Sequence, residues 1–173
     1  LGIIRPDLGL NATFTRITAA PGNLALVSQS GAMCSAVLDW AKANQVGFSS
    51  VISLGMTADV DFGEILDYLI YDNRTHYILM YVEGIRNARR FMSALRSAAR
   101  IKPIILLKAG RHGRSDNNAP EVDNTSLADV VFDAAMRRAG VVRVQNIDQL
   151  FFAAKALSCG FRPREDSLAI VSN

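Results

Sequence analysis

The sequence predicts an α/β fold in which a parallel β-sheet is covered by helices on both faces. Short apolar runs recur along the chain without the polar alternation that a half-exposed strand would show. Segments with helical spacing of apolar residues separate them, so each strand reaches the next through a crossover. No run of consecutive strands joined by tight turns interrupts this alternation.

Residues 1–22 are punctuated by Gly2, Pro6, Gly9, Asn11 and Pro21, and read as a lead-in without regular structure. Residues 24–28 form the first strand. Residues 32–44 follow as a helix, with Met33, Ala36, Val37, Trp40 and Ala41 on one side. Residues 50–54 give the second strand, and 62–71 a helix carrying Ile65, Leu66, Leu69 and Ile70. Residues 77–82, 88–100 and 103–108 continue as strand, helix and strand. A long polar loop spans 111–125. Helix 127–139, strand 141–144 and helix 146–159 complete the pattern. Five such units in roughly 140 residues fit a flavodoxin-like doubly wound sheet, whose ligands sit at the carboxyl ends of the strands. Residues 23–160 are thus expected to form the domain, with 161–173 a linker and the first strand of a further one. Leu1 is not a methionine and residues 167–173 read as a strand, so the chain is expected to be an internal piece of a longer polypeptide.

Composition narrows the function classes. At 173 residues the chain is long enough for one full core, and 50% hydrophobic with 20% charged residues is an ordinary globular balance. The net charge of +3 is small, and Arg86, Arg89, Arg90, Arg96 and Arg100 recur at near-helical intervals without interleaved aromatics. That pattern describes a solvated helix face and argues against nucleic-acid binding. Cys34 and Cys159 have neither CxxC nor zinc-ligand spacing, which implies two reduced thiols in the cytoplasm, Cys34 as core packing. No apolar run is long enough to span a membrane, and no Walker A or GxGxxG sequence indicates a nucleotide site.

Candidate chemistry gathers at predicted strand ends. Ser28, Gln29, Ser30, Gly31 and Ala32 form a tight turn into a helix, where unpaired N–H groups and the helix dipole can hold phosphate. Ordinary helix capping by Ser30 explains the same residues. Asp59 and Asp61 follow the second strand; they suit a site rim or a helix N-terminus, and no metal site is assigned to them. Glu83 ends the third strand and faces the same crevice, or else caps the next helix or pairs with Arg86 or Arg90. Lys108 and Arg111 offer positive charge at the fourth strand's end, or a salt bridge to Glu83 or Asp59. His76 reads as a surface residue. His112 lies at the start of the long loop and is a possible phosphoryl acceptor, close to the rigid strand end. Trp40, Phe151 and Phe152 read as core, and Gly9, Gly22 and Gly47 as turn formers.

Several motifs occur together and in order: Lys108, Gly110 and Arg111 before a loop; Asp133, Ala134 and Ala135 in the following helix; the run from Ala139 to Val144; the Ser28 to Gly31 turn; and Gly55, Ala58, Asp59 and Asp61. In these the chain resembles the nucleoside-diphosphate-forming acyl-CoA synthetases, relatives of the succinyl-CoA synthetase α subunit. The resemblance implies an acid, CoA and ATP converted to acyl-CoA, ADP and phosphate through a phosphohistidine. The Ser28 turn would then open the helix that receives the phosphorylated histidine, and Glu83 would be the glutamate that hydrogen-bonds that histidine. The family histidine itself aligns with Glu121 without a gap, or with Asp123 if Ser126, Leu127 and Ala128 are matched. Met56 stands where the family usually has Asn.

With Leu38, Asp39 and Trp40 and with Ala88 to Phe91, the chain also resembles the synthetase-like region of bacterial GNAT protein lysine acetyltransferases. There the synthetase chemistry is lost and the region regulates an acetyl-CoA-dependent transferase. That resemblance implies a non-catalytic, regulatory domain, with an active synthetase as the alternative. In both cases the partners are CoA-binding and ATP-grasp-like domains of the same polypeptide, joined in the second by protein substrates. No cofactor is placed within the chain itself; CoA or acetyl-CoA serves the parent, and ATP or ADP with Mg if it is a ligase.

Overall fold

In a computed structural model, residues 2–56, 59–109 and 124–160 are described, with side chains from residue 129 in the last span. Seven strands and five helices follow one another: β1 (Ile3–Arg5), β2 (Leu10–Ala12), β3 (Pro21–Ser28), α1 (Gly31–Asn44), β4 (Phe48–Ser53), α2 (Phe62–Tyr71), β5 (Tyr77–Val82), α3 (Ala88–Ala99), β6 (Ile104–Lys108), α4 (Asn124–Ala139), β7 (Val142–Val144) and α5 (Ile147–Ser158). They form one sheet in the order β2-β1-β4-β3-β5-β6-β7. The five strands from β3 onward are mutually parallel. Taken alone, they have the flavodoxin order, second strand first, then first, third, fourth and fifth.

Alternation along the strands divides the core. Leu24, Leu26, Leu79 and Leu107 point to a layer made with Val37, Leu38 and Ala41 of α1 and Leu150 and Ala154 of α5. Ala25, Val27, Ile78, Met80 and Leu106 point the other way, onto Leu66 and Leu69 of α2, Phe91 and Leu95 of α3 and Met136 of α4. Both faces of β3 are therefore dry, as its apolar sequence requires. Trp40 stacks on Phe151, with centroids 4.5 Å apart and planes 4° apart, joining α1 to α5. Phe152, expected in the core, is 74% exposed, because it falls one position beyond the face that α5 turns to the sheet.

The residues read as an unstructured lead-in contribute two strands and the start of a third. β1 and β2 pair antiparallel through a short 3₁₀ turn (Pro6–Leu8), and β1 pairs antiparallel with β4. Gly9 closes that turn at φ 63°, a conformation that favours glycine. Arg5, only 8% exposed, fixes the hairpin to α2. Its guanidinium donates to the Tyr68 hydroxyl and lies 3.4 Å from Asp7 and 3.7 Å from Asp72, while Arg74 also pairs with Asp7. Asp72 accepts from Thr75 at 2.7 Å, and Thr75 meets Ser49 of β4 at 2.7 Å. Lys102 is also buried; its ammonium donates to the carbonyls of Leu69 and, at 2.7 Å, Asp72, satisfying the end of α2. Burial pushes the Lys102 pKa down, with the Asp72 charge opposing.

Gly22 and Gly47 serve close approach, not turn geometry. A Cβ on Gly22 would lie 2.3 Å from the Gly47 carbonyl carbon, and one on Gly47 would lie 2.2 Å from the Pro21 oxygen. At the far edge, Arg143 of β7 is buried beneath α4. It pairs with Asp129, lies 3.8 Å from Asp133 and donates to the Asp129 carbonyl at 3.2 Å. Its guanidinium also covers the Phe132 ring, 5.1 Å from the centroid. Asp133, Ala135 and Arg143 of the sequence motifs thus help hold α4 on the sheet, while Ala134 is exposed.

Two outcomes are expected. Gly22→Ala must move one backbone against another, and should destabilise the chain by about 1–3 kcal/mol in urea unfolding, as overpacking does; an unchanged midpoint would contradict the contact. Burial works to raise the Asp7 pKa, but the hydrogen bond and charge of Arg5, with Arg74, outweigh it and hold it below its ordinary value. A depressed carboxyl pKa stabilises the fold above the unfolded value of about 3.9 and ceases to do so as pH falls through the folded one. The stability gap between wild type and Asp7→Asn should therefore be present at neutral pH and narrow below about pH 4.

Candidate functional site

Sheet topology sets the site's position. From β3 the chain crosses to β4 on one side, whereas β5 lies on the other, so the loops leaving β3 and β5 diverge and open a crevice at their carboxyl ends. An open cleft of ≈ 580 Å³ lies there, lined by Gln29, Ser30, Gly55, Met56, Glu83, Gly84, Ile85 and Arg86.

The turn from β3 into α1 is built by its own hydroxyls. Ser28, fully buried, donates from Oγ to the Ser30 carbonyl at 2.8 Å and accepts from the Ser30 N–H at 3.0 Å. Ser30 is the N-cap of α1, its side chain accepting from the Met33 N–H at 3.3 Å. The capping reading of Ser30 is thus correct. It leaves the N–H groups of Gly31 and Ala32 without a protein acceptor among the described residues, on partly exposed backbone at the positive end of a 14-residue helix. Capping and anion binding are compatible here, because they use different N–H groups.

Gln29 behaves differently from its neighbours. Its side-chain oxygen accepts from the N–H groups of Glu83 at 2.6 Å and Gly84 at 3.0 Å, and its amide nitrogen donates to the Gly84 carbonyl at 2.9 Å. Its own N–H donates to the Tyr81 carbonyl at 3.2 Å. Of the turn expected to offer backbone N–H groups to phosphate, Gln29 has its N–H bonded to β5 and its side chain bonded to the loop after β5. Sequence reasoning missed this, since its partners lie 54 and 55 residues away.

Glu83 lies exposed on the cleft wall. It does not cap α3, whose N-cap is Asn87, and Arg90 pairs with Glu64 at 2.9 Å instead. Burial and then the Glu83 charge raise the Tyr81 phenol above its ordinary pKa. Asp61 is the N-cap of α2 in a reciprocal capping box: its carboxylate accepts from Gly63 at 2.7 Å and the Glu64 side chain accepts from the Asp61 N–H at 2.6 Å. Asp61 also lines a small cavity with Gln29, Gly84 and Arg86 of the cleft, while Asp59 is exposed. Among the described residues no cluster of His, Cys, Asp and Glu could hold a metal ion.

Lys108 makes neither salt bridge expected of it. Its ammonium lies 5.6 Å from the centre of the Phe132 ring, on a residue that Arg143 also covers. Cys34 is buried under the Ser28 turn, and burial pushes its thiol pKa up against hydrogen bonds from Ser28 and Ser53, which fits packing rather than nucleophilic use. His76 is exposed at the amino end of β5, six residues from the strand's other end, or about 20 Å at strand rise. It is on the wrong side of the sheet for the cleft. Arg111, His112, Glu121 and Asp123 lie outside the described residues. No described helix is long and apolar enough to cross a membrane.

Residues 21–157 match the model of the succinyl-CoA ligase-like flavodoxin domain. The chain belongs to that family. Within it, the chain is 41% identical over its full length to an ADP-forming acetate–CoA ligase of Archaeoglobus fulgidus, covering 25% of that protein. Another relative, the α subunit of acetate–CoA ligase I of Pyrococcus furiosus, is 38% identical over 99% of the chain, which covers 37% of the subunit. An acetyl-CoA synthetase structure from Candidatus Korarchaeum cryptofilum, in complex with phosphate and ADP, superposes with a TM-score of 0.77 at 30% identity, over 91% of this chain and 34% of that one. The chain thus corresponds to one domain's length of larger family members. The expected doubly wound, flavodoxin-like fold and the synthetase resemblance are both correct.

If Asp61 serves as a helix cap, Asp61→Ala should lower unfolding stability by about 1 kcal/mol. Its effect should be the same with and without millimolar Mg²⁺; a Mg²⁺-dependent difference would point to metal binding at Asp61 instead.

Proposed function

We propose that this chain is the phosphate-handling domain of an ADP-forming acyl-CoA ligase, which converts an acid, CoA and ATP to acyl-CoA, ADP and phosphate through a phosphoenzyme. The observation that carries the reading is the meeting of two unlike groups in one cleft. Ser30, the N-cap whose helix begins with the free N–H groups of Gly31 and Ala32, suits a phosphoryl group, and Glu83 suits the nitrogen of an imidazole that delivers or receives it; Ser30 and Glu83 both line the cleft. The named activities of the ADP-forming relatives support the same reaction class. CoA and nucleotide would be held by CoA-binding and ATP-grasp-like domains beyond these residues. The chain's part is to present the α1 N-terminus, orient the imidazole through Glu83 and keep Lys108 at the strand end where the loop begins.

The sequence contains two histidines, and with His76 at the amino end of the sheet, His112 is the phosphoryl acceptor this reading requires. One observation favours a second reading, a retired synthetase domain that regulates an acetyl-CoA-dependent lysine acetyltransferase: Glu121 and Asp123 stand where the family's histidine aligns. A carboxylate cannot serve as the swinging imidazole of this mechanism.

Intact mass of the complete polypeptide after incubation with Mg-ATP, and separately with acetyl phosphate, separates the two. The ligase reading expects one acid-labile phosphoryl group, lost in His112→Ala. No added mass, together with acetyl-CoA-dependent transfer to a protein lysine, would replace it with the second reading.

A further inference from the structure

We propose that Gln29 is a positioning residue for Glu83: an amide latch that ties the loop after β5 to the turn after β3, and so fixes the carboxylate relative to the α1 N-terminus. The inference rests on the ligase reading for its chemistry, but the latch is a geometric feature in its own right.

Glu83 and Gly84 are both exposed, and neither sits in a helix or strand, so nothing regular protects their N–H groups. Both N–H groups nevertheless point at one oxygen, Gln29 Oε1, at 2.6 and 3.0 Å, while Nε2 returns a bond to the Gly84 carbonyl at 2.9 Å. The orientation is unambiguous on chemical grounds. Rotating the amide by half a turn would set its NH₂ against two donors and its oxygen against an acceptor. The residue's own N–H reaches the Tyr81 carbonyl, so the β3–β5 ladder runs one step past Ser28 before the side chain takes over. Gln29 therefore uses backbone and side chain together to span the switch point, where strand pairing ends and the crevice begins.

Position 29 is also the place from which such a span is possible. Ser28 and Ser30 are committed to building the turn, and the two N–H groups left for an anion follow at Gly31 and Ala32. Between them only residue 29 faces β5. A shorter side chain would not reach residue 84, an apolar one would leave two N–H groups and a carbonyl to solvent, and a carboxylate would oppose the Gly84 carbonyl with like charge. A glutamate that orients a phosphoryl acceptor needs a fixed bearing, since small displacements of an orienting group cost rate steeply.

The test uses Gln29→Leu, which removes all three side-chain bonds, and Gln29→Glu, which keeps an acceptor for the two N–H groups but loses the donor. Amide exchange by NMR should quicken by about tenfold at Glu83 and Gly84 in Gln29→Leu and by less in Gln29→Glu, with the β3 to β6 amides unchanged. In the complete polypeptide, phosphoryl transfer from ATP should slow by about tenfold or more in Gln29→Leu, with KM for ATP unchanged, and recover partly in Gln29→Glu. Unchanged exchange at residues 83 and 84 would overturn the latch. Faster exchange with an undiminished transfer rate would overturn its positioning role. Should Gln29→Leu fail to fold, Gln29→Glu decides on the same two readouts. If wild type forms no phosphoenzyme, the ligase reading fails, and the latch stands or falls on exchange alone.

Discussion

A buried strand paired on both sides governs this domain. β3 is hydrogen-bonded to β4 on one edge and β5 on the other, and its residues from Leu24 to Ser28 are fully buried. Such a strand has nowhere to end except at the surface beyond its carboxyl terminus. The chain must then leave toward one face while its neighbour's loop leaves toward the other. The cleft is the direct result, and Ser28, Gln29 and Ser30 are the residues that finish the strand. Each does so by a different bond, to the turn itself, to the β5 loop and to the Met33 N–H in the first turn of α1.

Around this centre, β7 at one edge of the sheet and β1, next to the edge strand β2 at the other, are fixed by buried arginines rather than by long strand pairings. β1 and β7 have three residues each, too few to hold an edge by backbone bonds alone. Arg5 ties β1 to α2, and Arg143 ties β7 to α4. Each guanidinium is surrounded by carboxylates, carbonyls or an aromatic face, which is how a buried charge is tolerated. Directional bonds of this kind set register where hydrophobic burial is slight. They also link the sheet to α2 and α4, two of the helices that cover it.

What could be read from the sequence follows from how local each signal is. The apolar runs of β3, β5 and β6 and the Asp61–Glu64 capping signature are written in adjacent residues, and both were legible, the latter as a helix start favoured by acidic residues. The β1–β2 hairpin was not, because β2 is exposed throughout and Arg5 gains its meaning only from Tyr68 and Asp72. Gln29 was picked out with its turn but for the wrong partner, since its bonds are set by tertiary pairing. Lys108 was expected to offer its charge to an anion or to meet a carboxylate, and its ammonium lies over the Phe132 ring, a placement that depends on where α4 docks.

The antiparallel direction of β1 has a practical side. Gly2 accepts from Ser53, at the carboxyl end of β4, so polypeptide joined ahead of Gly2 emerges at the same end of the sheet as the cleft. At the other side, Lys155 of α5 reaches the Asn44 carbonyl at the closing end of α1, so α5 ends at the opposite end of the sheet from the cleft. A reporter or purification handle fused behind α5 would stand clear of the cleft, and one fused in front of β1 would crowd it. Designs that splice this domain between others inherit that polarity: what is joined in front of β1 is delivered to the cleft's end of the sheet.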